Sequence, residues 1–124
     1  MTSPPAHSEP LKERVGNFVR AASIEITSSD QPYLPALRDL LPPHCHVYVS
    51  HVPNATLAQV VKTALAVQAA GFQATPHIVA RRINYPETLR TALADLTAHG
   101  VEQVLLVAGD TRSEEHTSEL QSLV

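Results

Sequence analysis

The chain has 124 residues, 44% of them hydrophobic, and a formal net charge of −3. It can therefore pack one ordinary domain, and no basic stripe argues for a nucleic-acid or anionic-membrane partner. A lone cysteine, Cys45, excludes an intrachain disulfide framework, no apolar run nears the ~18 residues that span a membrane, and the opening residues lack a signal-peptide plan. The expectation is a cytoplasmic protein without membrane or nucleic-acid contacts.

Residues 1–10, rich in proline and serine, read as a flexible tail. Leu11, Val15, Phe18 and Val19 follow at helical spacing, which predicts a short amphipathic helix over 11–20. The segment 22–27 alternates and is β-branched at Ile24, Ile26 and Thr27, a strand with Glu25 on the opposite side from the two isoleucines. Asp30 and Pro32 can open a helix whose face carries Leu34, Leu37, Leu40 and Leu41, and Pro42-Pro43 stops it. A second strand covers 46–50. Thr56 followed by Gln59 has the form of a capping box, and the helix behind it ends at Gly71.

Residues 72–78 predict a third strand, irregular at Pro76. Asn84 with Glu87, and Pro86 in the first turn, start a further helix that ends at Gly100. The run 101–107 is the fourth strand. Helix and strand thus alternate at roughly the 30-residue βαβ repeat, which means a parallel sheet with helices outside. Two architectures fit, an open doubly wound sheet and a (β/α)8 TIM barrel. A barrel takes about 250 residues, so only its N-terminal half, about four strands, would be present.

The last segment, 112–124, is polar and aperiodic. It resembles the translated sense of a sequencing-library adaptor, the other reading being a genuine acidic helix, and is set aside as an expression scar would be. The expected organisation is a tail over 1–10, a truncated α/β domain over 11–111 and a non-native tail over 112–124.

Parallel α/β folds carry their chemistry at the carboxyl ends of the strands. Those ends here hold Glu25, then Ser50 and His51, then His77, then Asp110. Plain structural roles exist for each. Glu25 could face water at an edge, the histidines could cap or pack, Ser50 could bond its own backbone, and Asp110 could be a turn residue. No GxGxxG, GxxxxGK[ST], CxxC or HExxH is present. His44-Cys45-His46 lacks a fourth ligand and alternates across a strand, so no metal is expected.

Four motifs in order carry a resemblance: Ser23-Ile24-Glu25-Ile26; Val49-Ser50-His51 with Asn54; Thr75-Pro76-His77-Ile78; and Leu106-Val107-Ala108-Gly109-Asp110. Over 22–110 they resemble the methylenetetrahydrofolate reductase family. Ile24 and Ile26 stand where that family has aromatic residues, Thr27-Ser28-Ser29 replaces a double proline, His51 replaces a tyrosine and Ala108 an arginine. The resemblance implies a TIM-barrel flavoprotein oxidoreductase of one-carbon metabolism and methionine biosynthesis. Such an enzyme passes hydride from NAD(P)H through FAD to a folate one-carbon donor. It further implies that Glu25 is the general acid, since a carboxyl buried at a barrel mouth keeps its proton more readily. Asp110 would be the second catalytic carboxylate, near the flavin. Ser50, His51, His77, Gly109 and Asp110 would contact the cofactor. A homo-oligomeric full-length form is compatible with it. Two alternatives stay open: a flavin-independent folate-binding protein that transfers one-carbon groups, and a truncated product with no activity of its own.

Overall fold

The computed structural model describes residues 4–109, with side chains described from residue 10 onward. Helix α1 (Pro4–Arg20) begins inside the segment expected to be a tail and runs through Pro10. Its stripe of Leu11, Val15, Phe18 and Val19 forms as the spacing requires, yet all four stay exposed. Strand β1 (Ile24–Ile26) is followed by a 3-10 turn, Ser28–Tyr33, and helix α2 (Leu34–Leu40). The Thr27 amide opens that turn by donating to Asp30 Oδ2 at 2.9 Å. Then come β2 (His46–Val49), α3 (Leu57–Ala69), β3 (Gln73–Val79), α4 (Pro86–Ala98) and β4 (Leu105–Val107).

The four strands form one parallel sheet in the order β1-β2-β3-β4. Each crossover steps the same way, and crossovers of one hand that step one way put their helices on one face. The core follows. Ile26, Val47, Val49, Ala74 and Ile78 turn to that face and pack with Leu34, Val60, Ala64, Val67, Ala92 and Leu96. Val47, Val49, Val60 and Val67 have no solvent exposure, and burying each such side chain contributes about 1.5–3 kcal/mol. The opposite face of the sheet is covered by no described element. It carries the candidate site.

The capping box before α3 forms as expected. Thr56 Oγ1 accepts from the Gln59 amide at 3.1 Å, and the Thr56 amide donates to Gln59 Oε1 at 2.8 Å. Thr56→Ala should lower stability by about 1 kcal/mol, read as a shifted urea midpoint with unchanged slope.

Three expectations need correction. First, β3 is regular through Pro76. The Gln73 amide donates to Cys45 O at 2.9 Å, toward β2. Alternation then turns Pro76 toward β4, whose pairing starts only at His77. The missing N–H therefore costs no ladder bond. Second, α4 is capped by Tyr85 rather than Asn84, without a side-chain bond, and Glu87 pairs instead with Arg90. Third, β4 is confined to Leu105–Val107, and Leu105 and Leu106 are 45% and 63% exposed rather than buried. Their outer edge meets no further strand among the described residues.

No helix among the described residues is long and apolar enough to cross a membrane.

Candidate functional site

The sheet's open face is polar because the strands alternate. Val47 and Val49 turn into the core, so His46 and Tyr48 turn outward. Glu25, Tyr48 and Thr75 are register partners across β1, β2 and β3. Ser50 and His77 each follow a register pair, Val49 with Pro76, and extend the row toward the carboxyl ends of the strands.

Two expected site residues, Glu25 and Ser50, thus touch, and His77 shares their face beside Tyr48. The Ser50 hydroxyl donates to Glu25 Oε2, and the Ser50 amide donates to Ile26 O at 2.8 Å, which locks the end of β2 onto β1. Ser50 is buried, His77 half-buried and Glu25 exposed. Glu25 is therefore not withdrawn from water as the barrel-mouth expectation would have it, because nothing described covers this face. His77 is tilted at 54° against Tyr48, with ring centroids 5.6 Å apart, and Tyr48 stacks on His46 at 6.3 Å. The result is an aromatic strip bordered by a hydroxyl and a carboxylate.

His51 does not join this face. It is 6% exposed, and its Nδ1 accepts the Val79 amide at 3.1 Å. Val79 is the next residue of β3 to point toward β2, beyond the point where β2 ends. The imidazole thus continues the ladder in place of backbone. Burial pushes the His51 pKa down, the Arg82 guanidinium lowers it further, and a bond with the backbone of Ala55 partly opposes both. The geometry gives His51 a packing role through Nδ1.

Gly109 has φ +94°, and a Cβ there would lie 2.3 Å from Val79 Cγ1. It closes the end of β4 onto β3, an approach only glycine permits. Asp110 lies outside the described residues, as do 112–124. Asn54 sits exposed in the turn before α3.

Cys45 is buried in the core, with its thiol 3.5 Å from Ala22 O and its pKa raised by burial. His44 stands in the left-handed region at φ 65°. Among the described residues, no three His, Cys, Asp or Glu side chains gather around a common point.

Two residues escaped the sequence reading. Tyr48 could have been found, since the same period of two that puts Val47 and Val49 in the core puts it beside Glu25. Arg82 gave no such signal. It is half-buried, and its guanidinium donates to His51 O through a contact only the folded loops create. No protein-family model matches this chain.

Proposed function

We propose that this chain carries the N-terminal half of a (β/α)8 barrel in a flavin-dependent reductase that resembles methylenetetrahydrofolate reductase. The observation that carries the reading is that Glu25, Ser50 and His77 share one uncovered face of three consecutive parallel strands, with Ser50 at the carboxyl end of β2 bonded to Glu25. The strand order adds support. A doubly wound sheet reverses its order at a switch point, whereas β1 to β4 run without reversal, as a barrel requires. In this reading the uncovered face becomes barrel interior.

The residues fit a flavin ring in part. Tyr48 and His77 offer an aromatic strip beside the Ser50 hydroxyl, suited to a planar heteroaromatic group. Ser50 and His77 would hold that ring, while His51 is committed to Val79 and would not. A bound flavin supplies hydride transfer between NAD(P)H and the folate. Ser50 orients the Glu25 carboxyl through its hydroxyl. Glu25 donates a proton to a folate ring nitrogen, which opens the five-membered ring to an iminium that can accept hydride.

In the complete gene product, Glu25→Gln should leave reduction of the flavin by NAD(P)H intact and slow folate reduction at least about 100-fold. Stopped-flow absorbance follows the two half-reactions separately. Equal loss in both removes the acid role. The engagement of His51 favours one second reading, a flavin-free folate-binding protein. Purification of a colourless protein that still binds folate would select it.

A further inference from the structure

We infer that the cavity over the carboxyl ends of β2 and β3 is a binding site for a small oxyanion group, a carboxylate or a phosphate, anchored by Arg82. The inference stands apart from the flavin and folate reading. The cavity measures about 240 Å³ and lies between the β2–α3 loop and the segment leading into α4. Its walls include His51, Thr56, Arg82, Asn84, Tyr85 and Thr88. Parallel α/β sheets bind ligands at this end. The volume falls below the ~300–1,000 Å³ of whole-ligand pockets, which suits a small anion or the charged end of a larger molecule.

Arg82 gives the cavity its sign. One guanidinium nitrogen is held by His51 O, which fixes the plane of the group. A guanidinium has five N–H donors in a rigid fork, so most remain for a ligand, and the fork matches an oxyanion in bidentate fashion. Among the described residues, no carboxylate forms an ion pair with Arg82. The nearby Glu87 is on Arg90 instead. Asn84 and Thr88 add neutral donors at the rim.

The test is titration of the isotope-labelled 124-residue chain with inorganic phosphate, and separately with acetate, followed by amide and Arg side-chain NMR. Saturable shifts should concentrate at Arg82, Asn84, Tyr85 and Thr88. A stronger response to phosphate identifies a phosphate site, and an equal or stronger response to acetate a carboxylate site. Arg82→Gln should weaken binding at least tenfold, and Arg82→Lys should recover only part, since a point charge lacks the fork. Should Arg82→Gln unfold through loss of its bond to His51, Asn84→Ala and Thr88→Val read the same cavity and should each weaken binding severalfold. Unchanged binding in the folded variants, or shifts spread evenly over Lys12, Arg14 and Arg38, overturns the inference.

Discussion

Gly109→Ala should lower the unfolding free energy by about 2–5 kcal/mol, combining left-handed strain with overpacking against Val79. Both penalties act at one atom. The φ of +94° is unfavourable for any L side chain, and the new Cβ would sit 2.3 Å from Val79 Cγ1. Neither partner can retreat cheaply. Val79 is buried on β3, in register with Val107 on β4, and the Arg81 amide is bonded to Ala108 O at 3.2 Å. Urea unfolding of the 124-residue chain measures the loss.

Val79→Ala separates the two penalties. It removes Cγ1, so the double variant should be more stable than the sum of the single losses predicts, while the left-handed strain of ~1–2 kcal/mol persists. A Gly109→Ala variant within ~0.5 kcal/mol of the parent would show that β4 ends without closing onto β3.

Much of the fold is legible in the residues because its signals are local. Thr56 with Gln59 and the β-branched alternation at Ile24 and Ile26 each act within a few positions, and the structure keeps both. The limits of α4 and β4 were less legible. Pro86 fixes the first turn of α4, so the cap moves to Tyr85. The apolar run before Val107 does not say where a neighbouring strand begins. The continuity of β3 through Pro76 was hidden for the same reason, since it depends on which neighbour a missing N–H would face.

The candidate site divides along the same line. Glu25, Ser50 and His77 share a face, and alternation within each strand is enough to suggest it. Their alignment depends on register, which pairs Glu25 with Tyr48 and Val49 with Pro76 across the strands. The role of His51 could not be read from spacing. Its imidazole replaces backbone only because β2 stops where β3 continues, and that difference in length is a property of the folded sheet.

His51 should also make the chain lose stability as pH falls below about 6.5, the ordinary histidine value. Its folded pKa is lowered by burial and by Arg82, so the unfolded chain binds the proton more readily. The contribution is complete above the unfolded value, is lost progressively as pH drops toward the lower folded value, and changes no further below it. The geometry agrees, since Nδ1 must stay unprotonated to accept the Val79 amide. His51→Asn can offer Oδ1 to that amide and does not titrate, so its stability should lack this acid-side loss. His51→Ala leaves the buried amide without an acceptor, and should cost about 1–3 kcal/mol at neutral pH before any loss of packing is added. Urea unfolding between pH 5 and about 8 distinguishes the three proteins. Parallel pH profiles for the parent and His51→Asn would mean that the imidazole is not the group that joins the ends of β2 and β3.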